Sequence, residues 1–250
     1  AAGNVSPVSP ALALTVDTVA PTTTASVTAI KDDVGAIKGT VASGGVTDDT
    51  SLVVSGTLST GLITGERVRI YDGSSYLGDA TVSGTSWTYA DSRTLTDGQS
   101  VSYTARVSDP AGNQSAAGTA YTATVDTVAP TTTASVTAIK DDVGAIKGTV
   151  ASGGVTDDTS LVVSGTLSTG LITGERVRIY DGSSYLGDAT VSGTSWTYAD
   201  SRTLTDGQSV SYTARVSDPA GNQSAAGTAY TATVDTAAPA APTGVTVTDD

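Results

Sequence analysis

The chain has 250 residues, and its 25 acidic and 12 basic side chains give a net charge of −13. It contains no Cys and no His, so it has no disulfide framework, and its many serines have no evident catalytic base. The acidity argues against binding to nucleic acid or to anionic membrane surfaces.

No apolar run approaches the length of a membrane span, and the first residues lack the basic-then-apolar pattern of a signal peptide. We therefore expect no membrane insertion. Repeats that lack Cys and are rich in Thr, Ser, Gly and Asp fit a secreted bacterial surface protein.

An internal repeat organises the chain. The string Thr-Val-Asp-Thr-Val-Ala-Pro occupies residues 15–21 and 124–130, and a near copy occupies residues 233–239, so the period is 109 residues. A fixed period of this length indicates a row of domains. We predict a C-terminal strand fragment of a preceding repeat, two identical whole repeats and the start of a following repeat, over residues 1–17, 18–126, 127–235 and 236–250 respectively.

Within the first whole repeat, alternating apolar residues and β-forming residues predict short strands separated by turns. The predicted strands cover residues 22–30, 51–58, 67–71, 76–82, 86–89, 101–107 and 117–125. The first two are joined by an Asp- and Gly-containing loop of about twenty residues, which is long enough to suggest that a function or an ion orders it. No segment has helical periodicity.

Short strands with turn signals every ~8–12 residues are typical of an immunoglobulin-type β-sandwich. We therefore predict an all-β fold of tandem immunoglobulin-like domains in an elongated array. Trp87 is the one Trp of its repeat, and we expect it at the centre of the core because the Cys pair of antibody domains is missing.

Several motifs together carry a resemblance to a known family. They are TVDTVAP, DDVG, TDDT before VSGTL, G-x-S-W, L-x-D-G and VSDPAGNQS, and they cover essentially the whole chain. This combination resembles the bacterial immunoglobulin-like repeats of giant RTX-type repetitive adhesins, the biofilm and ice-binding adhesins secreted by type I systems. The resemblance implies an extender region at the bacterial cell surface that projects a distal ligand-binding domain, with calcium at and near the linkers stiffening the array.

Asp outnumbers Glu ten to one in each repeat and stands in turns, which favours turn capping, Ca²⁺ ligation or both. Alternating strand directions place the Asp-rich first loop at the pole where the last strand ends, and the Asp-Pro-Ala-Gly-Asn loop at the opposite pole. We therefore predict Ca²⁺ sites where repeats join. The predicted ligands are the linker residues Asp17, Asp126 and Asp235, the loop residues Asp109, Asn113, Asp218 and Asn222, and the paired residues Asp32, Asp33, Asp48, Asp49, Asp141, Asp142, Asp157 and Asp158.

Hydrogen bonding in turns explains many of these carboxylates without a metal. On this alternative, Asp72, Asp91 and Asp97 are turn residues and Asp79 is a solvated strand residue. The basic residues then form a solvated face or pair with nearby Asp; they include Lys31, Arg67, Arg69 and Arg106.

We expect a monomeric structural spacer whose partners are the neighbouring repeats of the same chain. The alternative is a repeated module that binds a glycan or a host surface through exposed loops such as residues 59–65, although these loops contain no aromatic cluster. No catalytic residues are predicted, because the paired carboxylates are adjacent in sequence at a domain end and do not face each other across a cleft.

Overall fold

The computed structural model describes residues 2–241 and 243–244, which form strands, turns and loops without any helix. Accordingly, this described part of the chain offers no helix that could cross a membrane. The chain divides into two compact units. One comprises Ala1–Asp33 and Gly39–Val125, and the other comprises Val34–Lys38 and Asp126–Asp250.

Each unit contains ten strands. Those of the first are β1 (Ala25–Asp32), β2 (Gly39–Val41), β3 (Gly45–Thr47), β4 (Val53–Leu58), β5 (Arg67–Asp72), β6 (Ser75–Asp79), β7 (Thr81–Ser83), β8 (Ser86–Ala90), β9 (Ser100–Ser108) and β10 (Tyr121–Val125). Those of the second are β11 (Ala134–Asp141), β12 (Gly148–Val150), β13 (Gly154–Thr156), β14 (Val162–Leu167), β15 (Arg176–Asp181), β16 (Ser184–Asp188), β17 (Thr190–Ser192), β18 (Ser195–Ala199), β19 (Ser209–Ser217) and β20 (Tyr230–Val234).

The ten strands of each unit form two five-stranded sheets. In the first unit the strand orders are β2-β1-β4-β8-β7 and β3-β10-β9-β5-β6, and the second unit has the equivalent orders. Buried residues of both sheets belong to one hydrophobic core in each unit. The all-β fold of tandem immunoglobulin-like sandwiches is thus confirmed.

The core follows from strand alternation. Every second residue of β9 from Val101 to Val107 is buried, and Trp87 on β8 is only 1% exposed, as predicted. Gly56 lies opposite Trp87 in the register of β4 and β8. A Cβ at Gly56 would lie 2.3 Å from the indole ring and 2.0 Å from the carbonyl oxygen of Ser26, so only glycine leaves room for the ring at this position.

Two parts of the strand prediction were wrong. The long first loop contains strands β2 and β3. Each has three residues including a glycine, so neither is long enough to show an alternating pattern. The predicted strand over residues 76–82 is two strands in different sheets, since β6 pairs with β5 and β7 pairs with β8. The chain changes sheets at Ala80, whose N–H donates to the carbonyl of Val68 at 2.9 Å.

The two terminal segments form no strand where they are described. Residues 2–20 contain no strand, whereas β10, which occupies the matching position of the first repeat, pairs with β9 and β3. Within the predicted repeat start over residues 236–250, Pro242 and residues 245–250 lie outside the described residues, as does Ala1 of the predicted fragment 1–17.

Candidate functional site

Two acidic elements of the second unit meet at the pole where its last strand ends. Strands β13 and β20 run parallel, with Thr156 opposite Val234, and the N–H of Asp235 extends the pairing by donating to the carbonyl of Thr156 at 2.8 Å. Asp157 and Asp235 therefore leave adjacent strands at the same pole, as the strand directions predicted.

A cleft of about 620 Å³ opens between these elements, and we call it the acidic cleft. Its acidic residues are Asp141, Asp157 and Asp235, and its other lining residues include Ile146 and Val155. The Asp157 carboxylate lies against Gly144, where a Cβ would be 1.9 Å from Oδ2. Gly144 has φ of 61°, a conformation that favours glycine, and a Cβ there would displace the Asp157 carboxylate.

The buried carboxylates beside the cleft are held by donors of the chain. Thr156 Oγ1 donates to Asp141 Oδ2 at 2.7 Å, and the N–H of Val143 donates to Asp141 Oδ1 at 3.1 Å. Asp158 accepts from the N–H groups of Ser160 at 2.7 Å and Asp142 at 3.3 Å. These bonds satisfy the buried oxygens and order the loop.

The first unit repeats this arrangement. Thr47 Oγ1 donates to Asp32 Oδ2 at 2.6 Å, and the N–H of Ser51 donates to Asp49 Oδ1 at 2.8 Å. Asp32 and Asp49 are buried, whereas Asp48, which directly follows β3, is half-buried. The loop carboxylates are thus ordered in both copies.

Two of the predicted ligands, Asp33 and Asp142, form ion pairs with lysines. Lys31 Nζ lies 3.1 Å from Asp33 Oδ2, and Lys140 Nζ lies 2.9 Å from Asp142 Oδ2. The hydrogen bond and the charge of Lys140 lower the pKa of Asp142. All four side chains are more than half exposed, so each pair contributes little to stability.

The Asp-Pro-Ala-Gly-Asn loop lies at the opposite pole of the second unit. Asp218 Oδ1 accepts from the N–H groups of Gly221 at 2.8 Å and Asn222 at 2.9 Å, and its Oδ2 accepts from Asn222 Nδ2 at 2.9 Å. The same Nδ2 donates to the carbonyl of Asp126 at 2.8 Å. This loop therefore holds the linker through an amide hydrogen bond.

The first unit has the same loop geometry. Asn113 Nδ2 donates to Asp109 Oδ2 at 2.8 Å and to the carbonyl of Asp17 at 3.1 Å. Hydrogen bonds from Asn113 are the main cause of the lowered pKa of Asp109. The linker carboxylates form Asx turns: the N–H two residues further on donates to Oδ1 in Asp17 at 3.0 Å, Asp126 at 3.1 Å and Asp235 at 3.0 Å.

Of the predicted ligands, the second unit thus gathers Asp141, Asp157 and Asp235 at one pole. It places Asp218 and Asn222 beside the linker carbonyl of Asp126 at the other. Among residues 2–241 and 243–244, no three acidic side chains stand close enough together to form a metal-binding group as they are placed. An ion in the acidic cleft would therefore need carbonyl or water oxygens, or a small closure of the loop, to complete its shell.

The sequence analysis did not predict a charged cluster in the first unit, formed by residues at the ends of β5 and β8 and on β9. Arg93 Nη2 lies 2.6 Å from Asp91 Oδ2, and its Nη1 lies 2.9 Å from Asp72 Oδ2. The Tyr103 hydroxyl donates to Asp91 Oδ2 at 2.6 Å. We call these four residues the buried network; its copy in the second unit consists of Asp181, Asp200, Arg202 and Tyr212.

The electrostatics of the buried network favour its charged form. Burial alone would raise the pKa of Asp91, but hydrogen bonds from Arg93 and Tyr103 outweigh burial, so this pKa is lowered. The hydrogen bond to Asp91 is the main cause of the raised pKa of Arg93, and burial is the main cause of the raised pKa of Tyr103. One sequence signal was present: Tyr103 sits at an inward position of β9, where a buried hydroxyl needs a partner.

No family model matches the chain, and no curated protein sequence matches it. Among solved structures, it is similar to the N-terminal Ig1-2 module of the Drosophila receptor protein tyrosine phosphatase DLAR. The identity is 9%, the match covers 78% of this chain and 95% of that chain, and the TM-score is 0.25. A likeness of that size adds nothing to the fold already given by the strand pairing.

Proposed function

We propose that the chain is a structural extender from a large bacterial surface adhesin, in which tandem immunoglobulin-like repeats project a distal ligand-binding domain from the cell. The observation that carries this proposal is the exact 109-residue repeat, each copy of which has its own ten strands and its own core. A chain built by copying one self-contained domain gains length without a new binding site. Immunoglobulin-like folds are typically non-catalytic, and we propose no enzymatic activity.

Calcium is the second part of the proposal. Carboxylate oxygens are donors of the kind Ca²⁺ prefers. Both oxygens of Asp141 already accept hydrogen bonds, so the acidic cleft offers mainly the carboxylates of Asp157 and Asp235. No Lys or Arg of the described residues forms an ion pair with either of them. Bound Ca²⁺ would supply positive charge there and restrict the linker residue Asp235. By sequence identity, Asp126 occupies in the first repeat the position that Asp235 occupies in the second.

The Asp-Pro-Ala-Gly-Asn loop fits this role less well. Both carboxylate oxygens of Asp218 already accept hydrogen bonds within the loop, and Asn222 presents its amide N–H₂ to the linker. We therefore assign Asp109, Asn113, Asp218 and Asn222 to positioning the linker, and we propose the Ca²⁺ ligands at the acidic cleft.

The test compares the two-repeat chain in millimolar CaCl₂ and in EDTA, by thermal melting and small-angle X-ray scattering. Calcium at about a hundred times its Kd should add about 2.7 kcal/mol to the free energy of unfolding and narrow the distribution of end-to-end distances. Identical melting and scattering in both conditions would remove calcium from the proposal while leaving the extender role.

The linker variants separate charge from turn geometry. Asp126→Asn keeps an oxygen that can accept the N–H of Val128, whereas Asp126→Ala loses both that acceptor and the charge. If calcium restricts the linker through Asp126, both variants should reduce the calcium response and leave each sandwich folded. If the calcium response is reduced in Asp126→Ala and unchanged in Asp126→Asn, the turn, and not an ion, orders the linker.

A further inference from the structure

The outer surface of one sheet carries a cluster of arginine and tyrosine side chains in the first unit. We call it the arginine–tyrosine face, and it consists of Arg67, Arg69 and Tyr71 on β5, Tyr76 on β6 and Arg106 on β9. Three of the six basic residues of the repeat lie on this face, although the repeat as a whole is acidic. The face therefore carries positive charge, although the chain as a whole is negatively charged.

The rings and the guanidinium groups of this face are in contact. The guanidinium carbon of Arg69 lies 4.8 Å from the ring centroid of Tyr76, and that of Arg106 lies 5.6 Å from the ring centroid of Tyr71. The two rings are 5.6 Å apart at an interplanar angle of 55°. Such packing holds the arginine planes in place, so little conformational entropy remains to be lost when a ligand binds them.

The positive charges of the face are not balanced within it. Arg69 lies directly opposite Arg106 in the register of β5 and β9, and like charges so placed repel each other. Asp79 is the carboxylate beside them. It accepts from the Tyr76 hydroxyl at 2.7 Å and from Arg67 Nη1 at 3.3 Å, and it lies 3.7 Å from Arg69 Nε.

Arg106 has no ion-pair partner among residues 2–241 and 243–244. Asp72, the carboxylate at the end of β5, is engaged with Arg93 and with the N–H of Ser102 at 2.7 Å. One carboxylate therefore faces three guanidinium groups, and the face retains a net positive charge.

The face is accessible, and its pattern recurs in the second unit. Tyr76 is 47% exposed and Tyr185, its copy, is 45% exposed. The guanidinium carbon of Arg178 lies 4.0 Å from the ring centroid of Tyr185, and Arg176 pairs with Asp188 at 3.3 Å. Arg178 is buried, so Arg176, whose side chain is 48% exposed, and Tyr185 are the most accessible residues of the second copy, and Arg215 is half-buried.

We propose that the arginine–tyrosine face binds an anionic polysaccharide. Exposed tyrosine rings can stack on the C–H face of a sugar ring, and a guanidinium fork matches a carboxylate or a sulfate with two parallel hydrogen bonds. The residues of the face lie on the neighbouring strands β6, β5 and β9, so an extended polymer can contact several of them at once. The inference concerns a binding site of the repeat itself and does not depend on the extender role or on calcium.

The overall charge of −13 does not prevent this binding at physiological salt. The Debye length at 0.15 M ionic strength is about 8 Å, so carboxylates further away than this are largely screened from a ligand on the face. At 1 M salt the length falls to about 3 Å, and the contacts with the arginines themselves should weaken. We therefore expect binding at 0.15 M that is lost at 1 M.

The test measures binding of the two-repeat chain to immobilised polygalacturonate, heparin, dextran and poly-glutamate by biolayer interferometry. Polygalacturonate tests carboxylate recognition, heparin tests sulfate recognition, dextran is the neutral sugar and poly-glutamate is the anion without sugar rings. We expect binding to at least one anionic polysaccharide, at least fivefold tighter than to poly-glutamate, and none to dextran.

The variants remove one charge from each copy. Arg106→Gln with Arg215→Gln should weaken binding at least fivefold, while Lys38→Gln with Lys147→Gln removes the same number of exposed charges elsewhere and should change it less than twofold. Tyr76→Leu with Tyr185→Leu tests the rings, and circular dichroism checks that each variant is folded. The proposal is overturned by no binding to either anionic polysaccharide, by equal binding to poly-glutamate, or by equal losses in the arginine and lysine pairs.

Discussion

The buried network and the acidic cleft use aspartate in opposite ways. In the network, the Asp91 side chain is 1% exposed and meets a guanidinium and a hydroxyl of its own repeat. In the cleft, no Lys or Arg of the described residues forms an ion pair with Asp141, Asp157 or Asp235. The partner, and not the residue type, decides whether a carboxylate holds the fold together, as Asp91 does, or stays exposed without a cationic partner, as Asp157 does.

The largest effect should come from removing the cation of the network. Arg93→Met leaves Asp91 buried beside Tyr103 without its positive partner, which should cost about 2–4 kcal/mol of unfolding free energy. We place the cost below that of a fully buried pair because the Arg93 side chain is 34% exposed. Urea unfolding followed by Trp fluorescence would measure it.

The second repeat provides an internal control for this variant, because its own Arg202 is unchanged and its transition should stay in place. A double-mutant cycle with Asp91→Asn isolates the pair from other effects of truncation. A coupling energy near zero would show that the network contributes packing alone, and the contrast with the acidic cleft would fail.

Acid and alkali should both weaken the network, for opposite reasons. The folded pKa of Asp91 is lowered, so its contribution is present above the unfolded value near 4 and is lost as pH falls through the folded pKa. The folded pKa of Tyr103 is raised, so its contribution is present below about 10 and is lost as pH rises above that.

Between these limits the chain has no histidine to titrate, so we expect a plateau in unfolding free energy from about pH 5 to 9 when EDTA is present. Denaturant midpoints at pH 3, 7 and 10.5 would show whether the unfolding free energy has this plateau and falls on both sides of it. In Arg93→Met the acid limb should shrink, because an unpaired Asp91 no longer favours ionisation. An unchanged acid limb would assign acid sensitivity to other carboxylates.

A smaller loss is expected from Tyr103→Phe, about 1 kcal/mol, because Asp91 keeps its bonds to Arg93 after the hydroxyl is removed. The ring stays in the core, so the change tests the hydrogen bond alone. Thermal melting compares this variant with Tyr121→Phe, whose hydroxyl donates to the carbonyl of Val41 at 2.8 Å. A larger loss of stability in Tyr121→Phe than in Tyr103→Phe would show that the Tyr103 hydrogen bond contributes less than an ordinary neutral hydrogen bond.

The smallest effect in EDTA should come from the acidic cleft itself. Asp157→Asn should change the unfolding free energy by less than about 0.5 kcal/mol there, and should reduce the stabilisation seen on adding calcium. Asp142→Asn is the matched control in the same loop, because Asp142 is already paired with Lys140. Equal calcium responses in the two variants would leave the cleft without a role in ion binding.

The fold was largely predictable because its long strands repeat the signal of alternation. Strand β9 alternates buried and less buried residues over most of its length, and β5 does the same around Val68 and Ile70. Strands β2, β3 and β7 have three residues each, too few for any period to be recognised. Their existence depends on pairing partners that only the folded chain brings together.

The sequence predicted at which pole the acidic loops lie, but it did not predict the partners of their side chains. Strand directions placed the Asp-rich loop and the last strand at one pole, and the structure has them there. The sequence could not show that Asp91 is buried against Arg93 while Asp33 meets Lys31 in solvent, because both are acidic–basic pairs two residues apart. Burial distinguishes them, and burial is a property of the packed core.

The parallel pairing of β3 with β10 has a mechanical consequence. Three register pairs, from Ala123 with Gly45 to Val125 with Thr47, hold the last strand of the repeat. A pull on the end of β10 slides it along β3 and loads these bonds together, whereas a pull that opens a hairpin breaks its bonds one at a time. In single-molecule stretching, the two identical repeats should therefore rupture in two separate events at the same high force.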